Sequence, residues 1–159
     1  MIDAILAIKF AHVVAAAMML GVWAGVAGFM LLGCRTKNAS VIALVAQFAV
    51  KLELFVVAPA IALQPLSGFP LAWAIGLSNT DDFWVGLAIL IYAAVVALWI
   101  AAVRVEVRLR KAAREAALGG RPLAKAYTRL FRIWRWFAAA ILAGMVALFL
   151  VMVWQPRLD

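Results

Sequence analysis

Four long apolar runs constrain this chain more than any other feature of its sequence. They cover residues 4–33, 41–76, 83–103 and 136–154, and an α-helix needs roughly 20 residues to cross the hydrocarbon core of a bilayer. Because backbone groups in lipid must pair within their own segment, each run is predicted to be a helix. The composition agrees, with 69% hydrophobic residues and a mean hydropathy of +1.09. We predict one all-α domain, residues 1–159, built as an integral membrane four-helix bundle with antiparallel up-down topology.

The second apolar run is too long for one straight span. At 1.5 Å per residue it would extend roughly 55 Å, against a hydrocarbon core of about 30 Å. Its second half is rich in residues that interrupt helices: Pro59, Pro65, Gly68 and Pro70. We therefore predict a break near residues 59–68, with a kink at Ala58–Pro59 and a distorted or ended helix at residues 64–68.

The distribution of basic residues predicts the orientation in the membrane. Most Lys and Arg residues lie between the third and fourth runs: Arg104, Arg108, Arg110, Lys111, Arg114, Arg121, Lys125, Arg129, Arg132 and Arg135. The segment between the second and third runs has no Lys or Arg, and its charged residues are Asp81 and Asp82. By the positive-inside rule, both termini should be periplasmic in a bacterial inner membrane. The helices of the third and fourth runs should extend into the cytoplasm as a basic hairpin. Anionic lipid headgroups are its expected partners, and nucleic acid is not expected.

Polar side chains within the apolar runs are the candidate functional residues, because they are costly at membrane depth. The single histidine of the chain, His12, lies in the first run, one helical turn after Lys9. Counting down from the predicted outer ends of the helices places Gln64, Tyr92 and Met145 at a comparable depth. These five residues are therefore candidates for one polar site in the outer half of the bilayer.

Three interpretations of His12 stay open. It is a neutral imidazole hydrogen-bonded to Gln64, Tyr92 or a backbone carbonyl, or it is the axial ligand of one haem b, or it contacts a quinone or a proton relay. Since the chain has one histidine, a haem would need a different second ligand, a vacant position or the histidine of a second copy. Met145 and Met18 are the candidate thioether ligands.

The remaining charged residues within the runs also have two interpretations each. Lys9 either extends to the outer interface or pairs with a haem propionate, whereas Lys51 is expected to snorkel. Glu53 either pairs with Arg35 or Lys37 near the inner interface or carries a proton. On the opposite side of the first helix from His12, small residues form a seam that is expected to pack on another helix or subunit: Ala17, Gly21, Gly25 and Gly28.

Several segments resemble known families. An uncharacterised family of predicted four-helix bacterial inner-membrane proteins is similar over nearly the whole chain, in residues 8–12, 51–55, 64–68 and 127–134. A more distant similarity, in the Lys-x-x-His of Lys9 and His12 and in Trp23-Ala24-Gly25, is to the membrane-bound bacterial protoporphyrinogen oxidases. That resemblance implies a four-helix haem protein with His12 as the haem ligand.

The predicted function is a small accessory or redox-associated membrane subunit that binds one haem b through His12 for electron transfer. It is expected to be a homo-oligomer or part of a larger membrane complex. Two alternatives are a structural or assembly protein without a cofactor and a small proton-linked transporter that uses Glu53 and Gln64. An enzyme is not the favoured interpretation; if the chain is one, a haem-linked membrane oxidoreductase is expected.

Overall fold

The computed structural model describes residues 2–74, 76 and 83–155. These residues form five α-helices and a π-helical turn without any strand: α1 Ile2–Arg35, α2 Ala39–Leu52, the turn Glu53–Val57, α3 Ala58–Ala74, α4 Phe83–Leu118 and α5 Lys125–Trp154. The π-helical turn joins α2 to α3, so the chain has four helical segments that are long and apolar enough to cross a membrane. The predicted all-α membrane bundle of four helices is confirmed. Asp81 and Asp82, which were used to predict the orientation, lie outside the described residues.

Short turns separate α1 from α2 and α4 from α5. Lys37 adopts a left-handed φ of 54°, and the side chain of Asn38 then accepts hydrogen bonds from the backbone N–H groups of Ser40 and Val41. This N-cap satisfies donors that have no partner in the first turn of α2. After α4, Gly120 has a φ of 57°, which glycine adopts without the steric cost of a side chain. Both turns reverse the chain direction within a few residues.

The irregular part of the second span lies immediately before Pro59. Proline has no N–H, so the carbonyl of Phe55 loses its usual partner four residues later. The N–H of Ala58 bonds to the carbonyl of Glu53, five residues back, which is the pattern of a π-helical turn. The wider turn therefore accommodates Pro59 without ending the helix.

Of the two forms predicted at residues 64–68, a distorted or an ended helix, the helix does not end there, because α3 runs from Ala58 to Ala74 through Pro65. Pro65 leaves the carbonyl of Ile61 without an N–H partner in its own helix. The hydroxyl of Tyr92 on α4 donates to that carbonyl at 2.6 Å. A polar group from a neighbouring helix thus satisfies the backbone, and this is how proline is tolerated within a membrane span.

Close packing holds the four spans together in a ring. The first span contacts the second and fourth, and α4 contacts both α2 and α5. Trp23 is completely buried, and its indole N–H lies 3.4 Å from the carbonyl of Ala138 on α5. The backbone of Gly144 lies against Val95 of α4, where an added Cβ would be 2.5 Å from a methyl carbon. Glycine is therefore required at position 144 for α5 to approach α4 this closely.

Candidate functional site

His12 links α1 to α3 by hydrogen bonds that involve both its backbone carbonyl and its imidazole ring. The Nδ1 atom of His12 is 2.8 Å from the hydroxyl oxygen of Ser67, and the side chain of Gln64 donates to the carbonyl of His12 at 3.1 Å. A Cβ on Gly68 would lie 3.2 Å from Cε1 of the imidazole. The missing side chain therefore makes room for the ring. We call His12, Gln64, Ser67 and Gly68 the His12 centre.

The bonds of Ser67 decide which imidazole nitrogen carries the proton. Its hydroxyl oxygen is 2.6 Å from the carbonyl of Leu63, and a hydroxyl has one hydrogen to donate. Because Ser67 donates this hydrogen to the carbonyl of Leu63, its oxygen accepts a hydrogen bond from Nδ1–H of His12. The other ring nitrogen, Nε2, therefore carries the free lone pair. Gln64, one of three candidate partners of the imidazole, donates with its side chain to the backbone carbonyl of His12. Ser67 was missed, although its spacing of three residues from Gln64 places both on one helix face.

The other predicted site residues do not join this centre by hydrogen bonds. Tyr92 donates to the backbone of α3, and Met145 is buried in the apolar core with 3% of its surface exposed. Lys9 and Lys51 are exposed, and the ammonium of Lys51 lies 5.9 Å from the ring centroid of Phe48. Of the five residues predicted to form one polar site, the structure brings His12 and Gln64 into direct contact.

Among the described residues, none packs against the glycines of the small-residue seam of α1. A Cβ added at Gly21, Gly25 or Gly28 would meet no atom within 4 Å. These glycines are therefore not needed for the packing of the described helices. Their contact with another subunit stays a prediction.

A second polar centre consists of two carboxyl groups inside the bundle. Glu53 and Glu106 each have 0% of their surface exposed. The indole N–H of Trp99 donates to Oε2 of Glu53 at 2.5 Å, and that of Trp134 donates to Oε1 of Glu106 at 2.7 Å. The second oxygen of each carboxyl has no hydrogen-bond partner among the described residues. Trp99, the partner of Glu53, lies on α4 two helical turns before Glu106, so both carboxyl groups are placed along the same side of α4. We call Glu53 and Glu106 the carboxyl pair.

Glu106 was missed because it lies in the basic stretch that was interpreted as a solvated hairpin. Its helical phase contains the signal: Ala102, Glu106, Leu109 and Ala113 follow at spacings of four, three and four, and all are buried. Such spacing puts them on one helix face, opposite the exposed arginines. Of the two interpretations of Glu53, pairing with Arg35 or Lys37 and carrying a proton, the first is not seen among the described residues, where Trp99 bonds to Glu53.

The carboxyl pair has too few ligands to hold a metal ion by itself. Within the described part of the chain, no three His, Cys, Asp or Glu residues lie together as a metal site would require. Calcium takes six to eight oxygen ligands, and magnesium requires octahedral coordination. Carboxyl groups at membrane depth can bind and release protons.

Comparison with known proteins identifies the family. A protein family described as "Predicted integral membrane protein (DUF2269)" matches the chain over residues 6–156. The chain belongs to the DUF2269 family. No curated protein and no solved structure matches it, so the similarity to protoporphyrinogen oxidases is not shown. The His12 centre and the carboxyl pair are the candidate functional sites of this DUF2269 protein.

Proposed function

We propose that this protein is a proton-linked membrane protein whose carboxyl pair holds a proton inside the helix bundle. The observation that supports the proposal is the pair of completely buried carboxyl oxygens, one on Glu53 and one on Glu106, that have no hydrogen-bond partner in the described part of the chain. An ionised carboxylate is costly to bury unless a counter-charge accompanies it. Two carboxylates inside the same low-dielectric bundle would in addition repel each other. A proton bound to either carboxyl removes the repulsion and the burial cost of that one group.

The indole bonds indicate where the proton lies. Trp99 and Trp134 each donate an N–H, so the oxygens they contact are acceptors. The proton then belongs on Oε1 of Glu53 or Oε2 of Glu106. Its release changes the charge of the bundle interior by one unit, which is the elementary step of a proton-linked carrier.

The positive-inside rule supports an orientation for this step. The basic ends of α4 and α5 would face the cytoplasm of a bacterium, and both termini would be periplasmic in the inner membrane. The third apolar run ends at residue 103, and Glu106 follows it at the start of the basic part of α4. The carboxyl pair would then exchange its proton most readily with the cytoplasmic side.

Infrared spectroscopy of the purified protein tests the bound proton. We expect a carbonyl-stretch band of a protonated carboxyl at neutral pH, since exposed carboxyls are then ionised. Glu53→Gln or Glu106→Gln should shift the band, and the double variant should remove it. Glu115→Gln is the matched control, because Glu115 lies on α4 with an exposed side chain. A wild-type spectrum without the band would refute the proposal.

Proteoliposomes under an imposed pH gradient then separate proton binding from proton movement. The wild-type protein and the Glu115→Gln variant should carry protons, with Glu53→Gln and Glu106→Gln reduced to the level of protein-free vesicles. An infrared band without flux would limit the pair to a structural role.

A second candidate function, haem binding through His12, is favoured by the free lone pair on Nε2. A hydrogen bond from Nδ1–H to a neighbouring acceptor is the usual way that a ligating imidazole is oriented. Ser67 supplies that acceptor at 2.8 Å. Haem bound there would supply one-electron chemistry, and the second copy of a homo-oligomer would supply any second histidine.

An absorption spectrum of the detergent-purified protein tests haem binding. We expect a Soret band that His12→Ala abolishes. Ser67→Ala should keep the band and lower haem affinity by about 10-fold to 100-fold, because it removes only the orienting bond. A colourless, folded wild-type protein from cells supplied with haem precursors would exclude this candidate.

A further inference from the structure

A groove forms where α1 ends beside the beginning of α5. One cavity of about 300 Å³ is lined by Leu31, Cys34, Arg35, Thr128, Phe131, Arg132 and Arg135. A second of about 400 Å³ is lined by Lys125, Thr128, Arg129 and Arg132. Thr128 and Arg132 line both cavities, so the two are neighbours on one surface. We call the combined surface the basic groove.

The charges of the basic groove favour an anionic ligand. Its lining contains four arginines and one lysine and no acidic residue. Guanidinium groups match the geometry of phosphate oxygens through paired N–H donors. Thr128, between the two cavities, adds a hydroxyl. This chemistry suits a phosphate group rather than a neutral molecule.

The apolar part of the lining distinguishes a lipid from a soluble phosphate. Leu31 and Phe131 line the same cavity as Arg35, Arg132 and Arg135. Along α1 the exposed surface stays apolar, with Phe29 and Leu32 exposed by 65% and 58%. A ligand that presents a phosphate to the arginines and an acyl chain to α1 contacts both parts. A phosphate ion would leave the apolar part unused.

We propose that the basic groove binds one anionic phospholipid of the surrounding membrane. The phosphate lies among Arg35, Arg132 and Arg135, and an acyl chain follows α1 past Leu31. Lysine and arginine near a bilayer surface attract anionic headgroups in general. The groove adds a defined position, because its cationic groups come from two helices that meet there. This site does not depend on the carboxyl pair or on His12.

Native mass spectrometry of the protein from detergent with added phosphatidylglycerol or phosphatidylcholine tests the site. We expect a one-to-one complex with phosphatidylglycerol and a much weaker one with phosphatidylcholine. The double variant Arg132→Ala/Arg135→Ala should weaken phosphatidylglycerol binding by about 30-fold, because two cationic groups are lost. Arg132→Lys/Arg135→Lys keeps the charge and should retain most of the binding.

The matched control is Arg108→Ala/Arg114→Ala, which removes the same charge from exposed positions on α4. It should leave the phosphatidylglycerol complex unchanged. Equal weakening in both double alanine variants would show diffuse attraction and overturn the site. Inorganic phosphate that displaces the lipid at millimolar concentration would assign the groove to a soluble anion, and equal binding of the two lipids would also refute the proposal.

Discussion

Trp134→Ala should lower the free energy of unfolding by about 3 kcal/mol or more, the usual cost of truncating a buried tryptophan. Trp134 has 0% of its surface exposed and stacks on Phe131, with ring centroids 5.5 Å apart. Its indole N–H is also the hydrogen-bond partner of Glu106. The substitution leaves a cavity and a buried carboxyl without a donor. Reversible unfolding in mixed detergent micelles measures the loss.

Two further variants separate these contributions. Trp134→Phe keeps most of the ring and loses the N–H, so it should cost about 1–3 kcal/mol, the penalty for an unpaired buried polar group. Trp136→Ala is the matched control, because Trp136 is on the same helix and 74% exposed. Its effect should stay within about 0.5 kcal/mol. Equal losses for Trp134→Ala and Trp136→Ala would contradict the packing described for α5.

Gly144→Ala should destabilise the bundle by about 1–3 kcal/mol, the usual cost of overpacking. The added Cβ would lie 2.5 Å from Cγ2 of Val95, closer than two carbon atoms can approach. Val95 is β-branched, so its side chain cannot rotate away freely. The helices α4 and α5 must therefore separate locally. The same detergent unfolding experiment measures the effect.

A double variant attributes the loss to one contact. Val95→Ala removes the clashing methyl carbon, so Gly144→Ala should cost much less in its presence, with a coupling energy of about 1 kcal/mol or more. Gly21→Ala is the control, since nothing lies within 4 Å of its added Cβ. It should be neutral or stabilising, because alanine favours helix over glycine by up to about 1 kcal/mol. Additive effects of Gly144→Ala and Val95→Ala would contradict a direct clash.

The candidate site was predictable only where it depended on residue type at membrane depth. His12, Gln64 and Glu53 stand out because polar groups in apolar runs are rare and costly. Their partners are contributed by other helices, from 46 to 55 residues away for Trp99 and Ser67. Such pairs depend on how the helices are rotated about their axes, and no local pattern specifies that rotation.

Hydropathy by itself determined the four spans, because apolar runs of about 20 residues or more in lipid close their backbone hydrogen bonds as helices. Tertiary structure decided the rest. It kept α3 helical through Pro65, since the hydroxyl of Tyr92 reaches the freed carbonyl of Ile61. It also turned Glu106 from an apparent surface residue into a buried one, because α4 and α5 pack along the face that carries it. Both outcomes depend on contacts between helices, whose geometry is set by the shapes of the packed side chains.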